Sequence, residues 1–110
     1  DHFSVEGCVD TLYQLPNMSV GLSDFKSSIP VLWWRGVGHT HTAYAMESLL
    51  DMVAQRTGKD PIELRLDLLN SNDLKQQRMA NVLKISRRRS VWNKGNKRGF
   101  AAHYSYKTFG

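Results

Sequence analysis

The stretch HTHTAYAMESLLDMVAQRTGKDPIELRLDLL, residues 39–69, decides the fold class. Ala45, Leu49, Met52 and Val53, joined by Met46 and Leu50, recur at spacings of three and four, while Asp51 and Gln55 fall outside that stripe. This is the period of a helix with one apolar face, and Thr57-Gly58 supplies its stop. Asp60-Pro61-Ile62-Glu63 is then a second start signal. Asp60 can cap free backbone amides, Pro61 suits the first helical position and Glu63 falls at the third. The spacing predicts a helix over 61–69 with Ile62, Leu66 and Leu69 inward.

Downstream, Asp73 can cap a third helix carrying Met79, Val82 and Leu83, which fades in Arg87-Arg88-Arg89. Trp92 and a polar loop over 93–98 lead to Phe100, Ala102, Tyr104 and Tyr106, whose alternation reads as a strand. Upstream, Phe3, Val5, Val9 and Tyr13 stand at odd positions, which favours a strand over 3–13 with Gly7 at a bend. After the Pro16-Asn17 turn signal, Met18, Val20 and Leu22 alternate with Ser19, Gly21 and Ser23, predicting a second strand over 18–25. Residues 27–30 form a polar connection, and the apolar run 31–34 is a strand or an extended arm. N-terminal strands, two to three central helices and a C-terminal strand make the class α+β.

A chain of 110 residues supports one core, and no apolar run approaches the ~18 residues that span a bilayer. Cys8 stands alone, which excludes an internal disulfide and a thiolate zinc site. The start at Asp1, with no leader pattern, reads as a piece of something longer. All ten acidic residues lie in 1–74 against five basic ones, and the remaining ten basic residues follow: Lys75, Arg78, Lys84, Arg87, Arg88, Arg89, Lys94, Lys97, Arg98 and Lys107. With Trp92, Phe100, Tyr104 and Tyr106 this half invites an alternative reading as a small nucleic-acid-binding module. Against it, the rings alternate as on a sheet face that packs on a core, and no known binding module is present.

The junction before the first helix holds the candidate site. Trp33 and Trp34 in extended chain face opposite ways, so burying both demands two covers, more than so small a domain readily supplies. Gly36-Val37-Gly38 opens a helix whose free amides suit phosphate, but His41 or Thr42 stands where a dinucleotide fingerprint needs glycine or alanine, and Asp60 opens a helix instead of ending a strand. His39 and His41, two apart at a helix start, diverge, whereas helical metal pairs come at three or four, so no metal ligand is assigned. Asp51 and Arg65 read as a packing or salt-bridge pair, and Glu47 and Glu63 as structural helix residues.

Residues 33–69 resemble the large subunits of the molybdenum hydroxylases, the xanthine dehydrogenase and aldehyde oxidase family. They are most like the branch typified by the isoquinoline 1-oxidoreductase beta subunit. Trp34, Arg35, Gly36, Gly38, Glu47, Ser48, Asp51, Gly58, Asp60, Pro61 and Arg65 occupy the family's pattern positions. The flanks VEGCVDTLYQLPN and VWNKGNKRGFAAHYSYKTFG are similar to its upstream and downstream segments. The resemblance implies an internal slice of the molybdopterin-binding region, spanning 1–110 as a single or partial domain of a longer subunit. It places Trp34, Arg35 and Gly36 at the molybdopterin cofactor, in its cytosine dinucleotide form, and Val37 at the substrate pocket, where better-studied members often carry an aromatic. The implied chemistry is hydroxylation of an N-heterocycle or oxidation of an aldehyde, with electrons leaving through iron–sulfur clusters on a small partner subunit. The family's catalytic base has no counterpart here, so no catalytic residue is assigned and the chain alone is expected to be inactive.

Overall fold

The three helices form where their signals stand in the computed structural model, which describes residues 1–32, 34–70, 72–93 and 97–110. They are α1 (His39–Thr57), α2 (Pro61–Asp67) and α3 (Leu74–Arg89), and a hairpin of β1 (Tyr104–Ser105) and β2 (Thr108–Phe109) follows. The architecture is mixed α+β. Gly58 ends α1 in the left-handed conformation at φ 72°, its N–H returning to the Gln55 carbonyl. The Asp60 carboxylate accepts from the Ile62 and Glu63 amides at 2.9 and 3.1 Å, with Pro61 in the first turn. Asp73 accepts from Gln76 N–H at 2.8 Å, and Arg87, Arg88 and Arg89 stand at the C-terminal end of α3, where the helix dipole favours cations.

Tyr13, Leu50, Ile62, Met79, Leu83 and Ala102 form the buried core, so every helix and both flanks contribute to it. The inward face of α1 keeps Met46 and Leu50 of the predicted stripe and departs from the rest of it. Thr42, Met46, Glu47, Leu50 and Ala54 are buried, whereas Ala45, Leu49, Met52 and Val53 are exposed. The helix is apolar on two sides, and an ion pair decides which turns in: Glu47 must reach Arg65, which is fully buried on α2. In α2, Ile62, Leu64 and Arg65 are buried and Leu66 is half-buried, while Leu69, also half-buried, lies beyond the helix end at Asp67.

The predicted N-terminal strands do not form. Over 3–13 the chain instead makes a 3-10 helix, His2–Val5, because Asp1 and Ser4 satisfy each other's backbone and side chain in a capping box. Gly7 at φ 82° then reverses the chain, and its N–H donates to Asp10 Oδ1 at 2.5 Å. Residues 18–25 have no strand partner and are exposed throughout. Of the 31–34 run, Val31, Leu32 and Trp34 are exposed and outside any strand, while Trp33 lies outside the described residues. So do Lys94, Gly95 and Asn96 of the polar loop.

The predicted C-terminal strand shrinks to two residues. Tyr106 and Lys107, at φ 47° and 62°, turn the chain back, so Tyr104 pairs with Phe109 and Ser105 with Thr108 in antiparallel register. His103 and Gly110 extend the ladder through two backbone bonds of 2.7 and 3.0 Å. Among the described residues, no helix is long and apolar enough to cross a membrane.

Candidate functional site

The junction is a tight turn that feeds directly into α1. Val37 N–H donates to the Trp34 carbonyl at 3.3 Å, and the Thr40 hydroxyl donates to the Arg35 carbonyl at 2.7 Å. Gly36 takes φ 79°, and a Cβ there would stand 2.7 Å from Thr40 Oγ1. Val37 follows at φ 45°, a conformation that a β-branched residue adopts at a cost of about 1–3 kcal/mol and that persists only where the surroundings impose it.

What imposes it is visible on both sides of the turn. The 3-10 helix packs so closely on Gly38 that any Cβ there would collide with the Phe3 carbonyl and lie 3.1 Å from Glu6. His41 Nε2 meets the Ser4 carbonyl at 2.8 Å, which requires the proton on that nitrogen. The Thr42 hydroxyl is shared between the Glu6 and Gly38 carbonyls. His39 turns the other way, its Nδ1 at 2.9 Å from His103 Nε2, with the Tyr106 ring beside it. The two histidines therefore diverge, as their spacing requires. Among the described residues, no group of three or more histidine, cysteine, aspartate or glutamate side chains is placed to hold a metal.

An open cleft of about 620 Å³ lies against this turn. Phe3, Leu32, Trp34, Val37, Gly38 and His41 line it. Of the sequence-predicted site residues, Trp34 and Val37 thus share one wall. Arg35 and Gly36 contribute turn backbone instead, and the Arg35 side chain is exposed. Among the described residues, the backbone N–H groups of Arg35, Gly36, Gly38 and His39 have no partner within the chain. Four donors gathered at a helix start suit a ligand rich in oxygen acceptors. The wall formed by Phe3 and His41 was not legible, because 3–13 reads as a strand and His41 as a helix-start residue.

Behind the turn sits a buried ionic network. Arg65 donates from Nε to Glu47 Oε2 at 2.8 Å, from Nη2 to the Glu47 carbonyl at 3.0 Å and from Nη1 to the Pro61 carbonyl at 2.9 Å. Asp51 Oδ1 stands 2.8 Å from Nη1, so the predicted Asp51–Arg65 pair is present, with Glu47 as the deeper partner. Ala102 N–H also donates to Glu47 Oε2 at 2.8 Å, tying in the C-terminal segment. Burial alone would weaken the proton affinity of Arg65, but the Glu47 charge and hydrogen bond outweigh it and raise its pKa. Burial pushes the Tyr13 hydroxyl far up, reinforced by the Glu47 carboxylate, so it stays protonated beside the network.

A family model for the molybdopterin cofactor-binding domain matches residues 4–69, the span that holds the turn, most of the cleft wall and the Glu47–Arg65 pair. The chain belongs to the molybdopterin cofactor-binding domain family. The isoquinoline 1-oxidoreductase subunit beta of Brevundimonas diminuta is 30% identical over 82 residues, 74% of this chain and 10% of the relative. A nicotinate dehydrogenase subunit of Pseudomonas putida is 30% identical over 80 residues, 73% of this chain and 6% of the relative. The matched regions therefore span a tenth or less of these relatives' own length. No solved structure matches it.

The nucleic-acid reading finds no support in these relatives, and the fold engages part of the groups it needs. Trp92 N–H donates to Asp60 Oδ2 at 2.8 Å and its ring meets Phe100 edge-on. Lys75 and Arg78 lie over the rings of Tyr104 and Phe109, and Arg87 pairs with Glu63. The aromatic rings of the basic half mostly serve the fold.

Proposed function

We propose that this chain forms the cofactor-facing turn and part of the substrate wall in a molybdenum hydroxylase, as part of the molybdopterin-binding region of a longer large subunit. In this reading Trp34, Arg35 and Gly36 contact molybdopterin in its cytosine dinucleotide form, and Val37 borders the substrate. The supporting observation is the set of unspent amides at Arg35, Gly36, Gly38 and His39 in the turn, together with the 620 Å³ cleft that its Trp34, Val37 and Gly38 line. When bound, the cofactor supplies the molybdenum centre for hydroxylating a ring carbon or oxidising an aldehyde, with electrons leaving through iron–sulfur clusters on a small partner subunit.

The chain's own residues bind and shape. The Arg35 and Gly36 amides offer hydrogen bonds to cofactor oxygens, and the missing Cβ of Gly36 lets that backbone come close. Trp34 covers the cleft with a broad apolar face that excludes water. Val37, held by its strained backbone, sets the width of the substrate wall. Isoquinoline and nicotinate, the compounds for which the two relatives are named, are N-heterocycles, which favours that class over aldehydes. The base and the remaining pterin contacts belong to the rest of the subunit, so the chain alone is expected to be inactive.

The test uses the large subunit that contains this chain. Gly36→Val should lower molybdenum content by about tenfold or more, measured by elemental analysis. Val37→Ala should keep the metal and change KM for an N-heterocycle. Full molybdenum occupancy in Gly36→Val would refute the cofactor assignment.

A further inference from the structure

Residues 17–32 meet the rest of the chain at few points, among them the pair of the Asp1 ammonium with Asp24 at 3.6 Å and the cleft wall at Val31 and Leu32. All are exposed, including Met18, Val20, Leu22, Phe25, Ile29 and Leu32, and Leu32 is 92% exposed. Among the described residues, the only hydrogen bond made by their backbone is Ile29 N–H to the Ser27 hydroxyl at 3.0 Å. A sixteen-residue stretch without regular structure is uncommon in a compact domain, and such a stretch is normally a polar linker or a functional segment. Its composition argues against a linker, since a chain meant to stay solvated lacks large apolar side chains at this density.

The order of those side chains says what kind of partner fits. Met18, Val20 and Leu22 alternate with Ser19, Gly21 and Ser23, the period of a strand with one apolar face and one small, polar face. Met18, Leu22, Phe25, Ile29 and Leu32 also fall at spacings of four and three, but Gly21, Pro30 and the serines at 19, 23, 27 and 28 disfavour a helix over this segment. Its amides and carbonyls, open to water here, can offer a sheet edge a row of hydrogen-bonding groups. The family match over 4–69 runs through the segment, so it belongs to the domain and is no insertion. The matched regions cover only 10% and 6% of the two relatives, so most of the fold that could provide such an edge lies outside this chain.

We propose that residues 17–25 are a strand-donating arm that completes an open β-sheet edge in the remainder of the large subunit, with Met18, Val20 and Leu22 turned to its apolar layer. This rests on the functional reading above that the chain is part of such a subunit. The arm leads through Val31 and Leu32 into the wall of the cofactor cleft. Docking of the arm therefore fixes that wall, and assembly of the sheet is coupled to completion of the site.

Amide hydrogen exchange read by mass spectrometry tests this in the large subunit containing the chain, with the 110-residue chain alone as reference. Peptides within 17–25 should exchange at least about 100-fold more slowly in the large subunit than in the isolated chain. Val20→Pro, which removes a ladder donor, should abolish that protection, whereas Ser19→Thr on the polar face should keep it. A large subunit that holds molybdenum but leaves 17–25 unprotected overturns the arm and spares the functional reading. A protected arm in a subunit without molybdenum does the reverse. Protection of the arm in the isolated chain, with sedimentation as a dimer, would assign the edge to a second copy and also overturn the proposal.

Discussion

The arm over 17–32 carries a larger share of large apolar residues than the helical body over 39–89, yet the body folds on itself and the arm lies open. Every helix closes its hydrogen bonds locally, and its caps need only a neighbour two or three residues away, such as Asp60 to Ile62 and Glu63. A strand cannot do this. Residues 18–25 have the right alternation but no edge to pair with, so their apolar side chains stay in water. Patterning thus specifies a face, while a strand also needs a partner.

The sharpest way to break the body is at its buried charge. Arg65→Ala leaves Glu47 buried without its cation, and breaking such a pair typically costs about 3–5 kcal/mol. Urea unfolding of the chain should show that loss. The double variant Arg65→Met with Glu47→Leu should lose less than Arg65→Ala, because no charge is left uncompensated. A loss under about 1 kcal/mol for Arg65→Ala would mean that the network is not the tie between α1, α2 and the C-terminal segment.

Core truncation tests the contrast directly. Leu83 is fully buried, so Leu83→Ala should cost about 2–5 kcal/mol. Leu22 is half exposed in the arm, and Leu22→Ala should change the stability of the isolated chain by less than about 0.5 kcal/mol. Equal losses at the two positions, by the same urea titration, would show that the arm already packs on the body.

How much of this was legible follows the same division. The helix starts at Asp60 and Asp73, the stop at Gly58 and the glycine turn before α1 are local signals, and each stands where the sequence places it. Met46 and Leu50 of the predicted α1 stripe do turn inward, but Ala45, Leu49, Met52 and Val53 extend the apolar pattern around the helix and hide where the buried face ends. Only the Glu47–Arg65 pair, across 18 residues, settles it. The 3-10 helix was hidden because alternation at Phe3 and Val5 outweighed the capping box between Asp1 and Ser4. The contact of His39 with His103 spans 64 positions and leaves no local trace. At the site, Trp34 and Val37 were placed together by sequence adjacency, while the cleft wall from Phe3 came from folding alone.

A smaller effect separates capping from charge at the start of α2. Asp60→Ala removes the cap and the acceptor of the Trp92 indole, at a cost of about 1 kcal/mol or more. Asp60→Asn keeps a capping oxygen and should cost only tenths of a kcal/mol near neutral pH. Partial burial works to raise the Asp60 pKa, but the Trp92 bond and the two backbone amides win and hold it below 3.8. Its contribution is therefore present above that value and lost as pH falls through the depressed one. Asp60→Asn should remove this acid-side loss in urea midpoints, and an unchanged acid limb would contradict the assignment.

The gentlest probe is the histidine contact that holds the C-terminal segment to the start of α1. Burial lowers the pKa of His103 below its ordinary 6.5, and the neighbouring His39 lowers it further, while Glu47 and Asp10 oppose both. The Thr42 hydroxyl and the Tyr106 ring complete the surroundings of the pair, on the His39 side. A histidine with a depressed folded pKa binds fewer protons folded than unfolded, so stability rises with pH across the gap. Its stabilising share is complete above 6.5 and is lost as pH falls through the lowered value. Urea midpoints should therefore drop modestly from about pH 7.5 to about pH 5.5. In His103→Gln, which keeps hydrogen-bonding groups but cannot titrate, that slope should flatten. Were the slope to persist, the pH dependence would belong to another group and the His39–His103 contact would be a structural tie without a proton of consequence.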